Sequence, residues 1–239
     1  RQVLLDTIDN HNSEKQYSYI IDGMFIKAGK GGLHGKLNYK GDGLHLKTTN
    51  EQYIYNIDFS SFYPSIYTQL QCYDTPSLIV LQNLMHERIQ LKTIDKTKAN
   101  AIKLLLNSIY GLMRFDYINK GFSVNLAVTT VAQTIIVEFI ETFIHKMKGT
   151  GYIIKLIDIN TDGFTFGTNK ELPKKITNGF DYKVNNLETP LNLEVTLIDD
   201  LYYKDYNQYK QISNGKIKTK GTRFIKTGSK DTFNIVFYN

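Results

Sequence analysis

The chain has 239 residues, of which 41% are hydrophobic and 22% charged, with a formal net charge of +6 and a pI near 9.1. That balance excludes collagen-like, fibrous and wholly disordered chains and allows one sizeable core. A basic chain favours polyanionic partners, and its 17 Tyr and 13 Phe supply rings that either stack on bases or simply pack. The most apolar stretch, from Leu126 to Ile144, is broken by Thr129, Thr130, Gln133, Thr134, Glu138, Glu141 and Thr142, so no membrane partner is expected. The opening residues carry no signal-peptide or transit pattern. The lone cysteine, Cys72, has no partner for an internal disulfide and reads as a small buried hydrophobe.

Residues 1–52 read as irregular chain with short strands. Within them, Gly29-Lys-Gly-Gly-Leu-His-Gly35 has glycine at four of seven positions, the signature of a tight turn or a close backbone approach. It lacks the spacing and the lysine-serine/threonine ending of a Walker loop, so no phosphate loop for NTP hydrolysis is read here. Gly41-Asp-Gly43 predicts another turn. Tyr53 to Ile57 alternates as a strand and delivers Asp58 at its end. Ser60, Ser61 and Pro64 offer caps and a start for a helix over 64–70. Residues 78–92 read as a helix with Leu81, Leu84, Met85 and Ile89 near one side. A break at 94–97 leads into a second helix over 98–113, giving a short antiparallel helical hairpin. After a connection at 117–121, apolar positions at helical spacing predict one long helix over 124–147, ended by Gly149-Thr-Gly151. Residues 152–157 form an apolar strand, 158–163 are turn-like, and 164–166 return as a strand, a β-hairpin. A short helix over 170–178, two strands over 184–198 and further strands around the Asn214-Gly215 turn complete the chain. The whole reads as one body of mixed α and β structure with a helical insertion.

Two carboxylates stand out because each follows an apolar strand. Asp58 ends Tyr-Ile-Tyr-Asn-Ile, and Asp162 sits in the turn after Ile153-Ile-Lys-Leu-Ile157. Two acidic side chains at neighbouring strand ends make a hard oxygen site suited to Mg2+, and two such ions clamp the attacking and leaving oxygens of phosphoryl transfer. Both are equally at home as surface turn aspartates. On the helical hairpin, Lys103, Asn107 and Gly111 recur every four residues with Tyr110 beside them, and Arg88 and Lys92 are four apart on the preceding helix. Three cations on one hairpin suit a phosphate chain; the plainer reading is a solvated basic helix pair.

These residues carry a resemblance. Asp58-Phe-Ser-Ser-Phe-Tyr-Pro-Ser-Ile66 resembles motif A of family B DNA polymerases, Lys103-Leu-Leu-Leu-Asn-Ser-Ile-Tyr-Gly111 is similar to motif B, and Asn160-Thr-Asp-Gly163 resembles motif C, in the family's order. The similarity extends over about residues 29–224. It implies an α+β fold: a palm with a central antiparallel sheet backed by helices, plus a short helical-hairpin fingers insertion. The palm's first part would span 1–75, the fingers 76–113, and the rest of the palm with a thumb-proximal region 114–239. The implied activity is template-directed DNA synthesis, in which a primer 3′-OH attacks a deoxynucleoside triphosphate (dNTP) and pyrophosphate leaves. The implied cofactors are two Mg2+ or Mn2+ ions, and the implied partner is primer-template DNA.

The resemblance also implies roles. Asp58 and Asp162 would hold the metals, with the Phe59 backbone and Asn160 beside them. Ser60, Ser61 and Phe62 would line the triphosphate site, and Tyr63 would lie under the sugar and exclude a 2′-OH. Arg88, Lys92 and Lys103 would grip the triphosphate, with Asn107 close by, and Tyr110 and Gly111 would pack on the nascent base pair. Gly31, Gly32 and His34 are similar to a phage-type signature near the DNA backbone. Thr161, Tyr209, Lys220 and Gly221 would also meet DNA.

The sequence departs from the family at two of these places. Motif C usually reads Tyr-Gly-Asp-Thr-Asp-Ser, and here Asp158, Ile159, Asn160, Thr161, Asp162 and Gly163 take those positions. Asn160 offers an oxygen but no negative charge, a form similar to that of some bacteriophage polymerases. Asn207-Gln-Tyr209 has asparagine for the usual lysine of a Lys-x-Tyr motif. No segment resembles the family's 3′–5′ exonuclease, and little follows residue 224 to build a thumb. The expectation is therefore either a polymerase core, for which other polymerase domains or chains (exonuclease, thumb) are possible partners, or a catalytically incomplete DNA-binding or assembly module that requires a thumb or exonuclease partner. The expected location is the cytoplasm of a bacteriophage-infected or plasmid-bearing bacterial cell.

Overall fold

The structure is a computed structural model that describes residues 17–29, 32–39, 43–70, 75–112, 121–185 and 187–221. Gly31, Cys72 and the Gly41-Asp42 part of the predicted turn lie outside them. The chain divides into two compact units. One is mainly helical and holds Phe59–Ile135 and Asp181–Asn192; the other is built on strands and holds the described residues 17–58, 136–180 and 193–221.

The first strands are more regular than the sequence suggested. β1 (Tyr17–Ile21) and β2 (Met24–Gly29) form a hairpin closed by Asp22 and Gly23, both with positive φ (48° and 80°). Asp-Gly is the dipeptide that a two-residue hairpin turn of this kind prefers. In β2, Met24, Ile26 and Ala28 point into the core while Phe25 and Lys27 point out. β3 (Gly32–Lys36), β4 (Leu44–Lys47) and β5 (Tyr53–Phe59) follow. After the helices come β6 (Ile154–Asn160), β7 (Gly163–Thr168), β8 (Phe180–Tyr182), β9 (Leu191–Ile198), β10 (Asp200–Asp205), β11 (Gln208–Ser213) and β12 (Lys216–Lys220). They build an eight-stranded sheet in the order β1-β2-β3-β6-β7-β5-β9-β8 and a four-stranded sheet in the order β12-β11-β10-β4. Every pairing among β1, β2, β3, β5, β6 and β7 in the large sheet, and all of the small sheet, is antiparallel.

Both faces of β5 are used. Tyr55 and Ile57 lie opposite Phe166 and Phe164 of β7, and all four are buried. Phe139 and Phe143 meet these phenylalanines edge-on, Phe143 at 5.4 Å from Phe166. On the other face, Ile54 joins Ile157, Ile198 and the inner residues of the small sheet, Leu44, Leu46, Leu201 and Tyr203, in one buried cluster. Burial of such side chains contributes about 1.5–3 kcal/mol each.

Phe139 and Phe143 belong to α4 (Gly121–Gly149). The polar residues that interrupt its sequence are themselves buried: Thr129 is 2% and Thr130 3% exposed. Each threonine hydroxyl donates to the carbonyl four residues back, Thr129 to Asn125 and Thr130 to Leu126 at 2.8 Å, Thr134 to Thr130 at 3.0 Å. The helix thus satisfies its own polar side chains and buries nearly all round. By length and hydropathy Asn125–Gly149 is apolar enough to cross a membrane, contrary to the sequence expectation, but 67% of its most apolar window is buried in the protein, as in any core helix.

The helical unit carries α1 (Phe62–Gln69), α2 (Thr75–Ile94) and α3 (Lys96–Leu112). α1 begins two residues before the expected Pro64, which is tolerated there because first-turn amides have no helical partner. Asp95 separates α2 from α3 and caps the latter, its Oδ1 accepting from the amides of Thr97 (3.1 Å) and Lys98 (3.0 Å). Ala99 and Leu106 are the buried side of α3. On α2 the buried positions are Leu81 and Arg88; Ile89, expected on the inner side, is 56% exposed. The short helix near 170–178 is only α5 (Lys174–Thr177). Residues 184–198 hold one strand, β9, rather than two; the other strand, β8, precedes them.

Candidate active site

The expected turn at 158–163 is mostly strand. β6 continues to Asn160, and only Thr161 and Asp162 form the hairpin turn into β7. Simple alternation would place Asp158 and Asn160 on the face of Ile154 and Leu156. A bulge between Leu156 and Asp158 shifts the register by one residue, so Asp158 pairs with Thr165 and Asn160 with Gly163. Asp58 pairs with Gly163 from the other side and Asn56 with Thr165. Asp58, Asp158 and Asn160 therefore share one face of three adjacent strands, with Asp162 at the turn beside them.

Gly163 makes that arrangement sterically possible. A Cβ there would collide with Asp58 Oδ1 and the Ile57 carbonyl and would lie 3.0 Å from Asp58 Cα. Asn56 holds the other carboxylate oxygen, donating from Nδ2 to Asp58 Oδ2 at 2.6 Å, and is itself oriented by Thr165 Oγ1 donating to its Oδ1 at 2.9 Å. Burial, then the charge of Asp162, push the Asp58 carboxyl up to about 6, against Lys218 and the Asn56 hydrogen bond, with Glu194 adding repulsion. Asp158 accepts from the Tyr203 hydroxyl at 2.6 Å. Burial pushes it up to about 7, against that bond and Lys220.

His34 of β3 stacks on Tyr206 at 4.2 Å between centroids. Burial and Lys220 lower its pKa, against a hydrogen bond with Asn160 and the charge of Asp162. Its Nδ1 is buried without a hydrogen-bond partner. Gly32 has φ 134°, and a Cβ there would collide with the Thr161 hydroxyl. Thus Gly32, His34, Asn160, Thr161 and Asp162 come together within the sheet unit. Tyr209 packs against the small-sheet core with Lys218 Nζ 5.8 Å from its ring centroid. Lys220 and Gly221 are exposed at the end of β12.

The other candidates lie in the helical unit. Ser61 precedes α1 in the left-handed region (φ 53°) and makes no cap bond to the helix. Its hydroxyl instead accepts from Arg88 Nη1, while Lys92 Nζ donates to Ser60 Oγ at 3.0 Å. α2 thus fastens both serines that follow Asp58 in the chain. Tyr63 stacks on Tyr110 at 4.6 Å, and Tyr110 hydroxyl meets Thr129 Oγ1 at 2.6 Å. Phe59 and Phe62 stack at 4.4 Å. Lys103 and Asn107 are exposed on α3, one residue off the line of buried Leu106 and half-buried Tyr110, and Gly111 has open space where a Cβ would stand.

Sequence reading missed Asn56, Tyr203 and Lys218. Asn56 was visible only as a polar residue two before Asp58, which is the same-face spacing of a strand; Lys218 stands in that relation to Lys220. The donor set suits a hard cation, because two mutually repelling carboxylates with an amide oxygen nearby are relieved by a positive charge. Among the described residues no group of three or more His, Cys, Asp and Glu gathers as a metal site, so the fit rests on the Asp58–Asp162 pair with Asn160.

No protein-family model matches the sequence, and none of the curated proteins matches it. Among solved structures, the family B DNA polymerase from the hyperthermophilic archaeon Pyrobaculum calidifontis is similar at 17% identity and a TM-score of 0.43, over 78% of this chain and 30% of that one. The likeness is distant and partial, and this chain spans less than a third of that polymerase's length.

Proposed function

We propose that this chain is the palm-and-fingers core of a family B-type DNA polymerase that adds deoxynucleotides to a primer 3′-OH. The observation that carries the reading is the convergence of Asp58 and Asp162, remote in sequence, at neighbouring strand ends, where the charge of Asp162 helps push the Asp58 carboxyl up. Asp58 and Asp162, with the Asn160 amide oxygen, would hold Mg2+ or Mn2+. When bound, such ions neutralise charge on the attacking and leaving oxygens of phosphoryl transfer. Asn56 and Gly163 keep the Asp58 carboxylate in one position. Arg88, Lys92 and Lys103 offer cations for a dNTP triphosphate, the stacked Tyr63 and Tyr110 offer a platform for sugar and base, and His34, Tyr209 and Lys220 offer contacts to DNA. Positioning and charge compensation are most of what this chemistry asks of a protein.

Asn160, in place of an acidic residue, favours a second reading: a module that binds DNA without turning over. The two separate on metal binding. Calorimetric titration of Mn2+ with dNTP should give saturable binding that Asp58→Asn weakens by an order of magnitude or more. Absence of saturable binding in the unmodified chain overturns the enzymatic reading.

A further inference from the structure

The serines ahead of α1 do not behave as helix caps. Ser61 has φ 53° and ψ 40°, the left-handed region that most L residues avoid, and its side chain makes no cap bond to the helix. A serine at a helix start ordinarily offers its hydroxyl to a first-turn amide. Here the hydroxyl accepts from Arg88 Nη1 instead. Ser60 is fixed through its backbone, the amide donating to the Asn192 carbonyl at 2.8 Å, and its hydroxyl accepts from Lys92 Nζ at 3.0 Å. Arg88 and Lys92 stand one helical turn apart on α2, and Arg88 is only 8% exposed. The same helices are joined elsewhere. Thr68 Oγ1 of α1 donates to Met85 Sδ of α2 at 3.9 Å, and Tyr63 of α1 stacks on Tyr110 of α3.

We propose that Ser60 and Ser61 are positioning residues whose hydroxyl oxygens hold Lys92 and Arg88 in place for a triphosphate before it arrives. Each hydroxyl is a neutral acceptor on a fixed stretch of backbone. A phosphate oxygen is a charged acceptor and takes the same donors more strongly, so the serines place the two cations without outcompeting the ligand. A buried guanidinium also needs an acceptor when no ligand is present, and Ser61 supplies one. The gain is preorganisation: two long, rotamer-rich side chains are ordered in the empty protein, so less ordering is left for the binding step. The backbone strain at Ser61 is consistent with this role, because the left-handed turn serves Arg88 and not the start of α1. The tethers stand on the fold alone; the triphosphate as their occupant rests on the function proposed above.

Calorimetric titration of inorganic tripolyphosphate in metal-free buffer tests this independently of the carboxylates. The proteins are the unmodified chain, Ser61→Gly, Ser61→Asn, Arg88→Met and Ser61→Gly/Arg88→Met. Glycine suits the left-handed backbone and removes only the hydroxyl, and asparagine suits it while restoring an acceptor, so both variants keep the fold. Ser61→Gly should weaken binding about 2- to 10-fold, the scale of ordering one long side chain, and Ser61→Asn should bind as the unmodified chain does. In the Arg88→Met background Ser61→Gly should cost nothing further, which a merely structural role would not produce. Equal losses in both backgrounds overturn the proposal. So does unchanged binding by Ser61→Gly, and so does tighter binding, which would make the serine a competitor of the phosphate. If the unmodified chain binds no tripolyphosphate, the triphosphate reading of Arg88 and Lys92 fails and takes the proposal with it; if it binds without dependence on Ser61, that reading stands and the proposal alone fails.

Discussion

At Gly163 a missing Cβ decides where the Asp58 carboxylate sits. The backbone there needs no left-handed φ, so the requirement is steric: the space is filled by Asp58 and the Ile57 carbonyl. Gly163→Ala should cost about 1–3 kcal/mol in denaturant unfolding, the range for overpacking a close contact, and should lower metal affinity more than a surface substitution of equal stability cost. An unchanged midpoint would show that the strands yield freely at this point. Asp58 and Asp162 were legible in the sequence because an aspartate at the end of an apolar strand is unusual chemistry in an ordinary place. Asn56 and Gly163 were not, since their importance comes from the cross-strand partner, and pairing register is a tertiary fact. His34 was legible as a residue near the site but not as a ring stacked on Tyr206.

The bulge in β6 is the element on which the face of the site depends. Without it Asp158 and Asn160 would point into the phenylalanine layer under α4, and burying them there without partners would cost several kcal/mol. Alternation read from the sequence assigns the opposite face, and nothing in Ile-Lys-Leu-Ile-Asp announces the extra residue. The long helix was easier, because its apolar spacing persists through threonines that bond back to their own helix. The first four strands were harder: they are short, and the Asp22-Gly23 hairpin dipeptide between the first two went unread. The bulge has a measurable consequence through Asp158. A carboxyl whose folded-state pKa stands above its unfolded one contributes stability while protonated, in full below the unfolded value and lost as pH rises through the folded one. For Asp158, raised to about 7, the window runs from about 4 to about 7. In EDTA the protein should therefore lose stability between pH 5 and pH 8, on the order of 2–4 kcal/mol. Asp158→Asn, which keeps the acceptor for Tyr203, should flatten that slope when melting is followed across the range. The same slope in both proteins would mean that Asp158 is ionised in the fold at low pH.

At the scale of the whole molecule, a basic α+β chain carries its candidate chemistry on two units. The sheet unit holds the carboxylates with Asn160 and His34, and the helical unit holds Arg88, Lys92, Lys103 and the stacked tyrosines. Composition pointed to a polyanionic partner without naming it, and only the ordered motifs narrowed that to DNA and a triphosphate. Those motifs were legible because the resemblance is carried by residue types at fixed spacings, whereas the supporting contacts are set by packing and vary with it. The central claim is that Asp58 and Asp162 make this chain a nucleotidyltransferase. Primer extension with Mg2+ or Mn2+, a primer-template duplex and four dNTPs tests it most directly, with Asp162→Ala assayed beside the unmodified chain. The account predicts template-complementary extension by the unmodified chain and none by Asp162→Ala; equal background in both would contradict it.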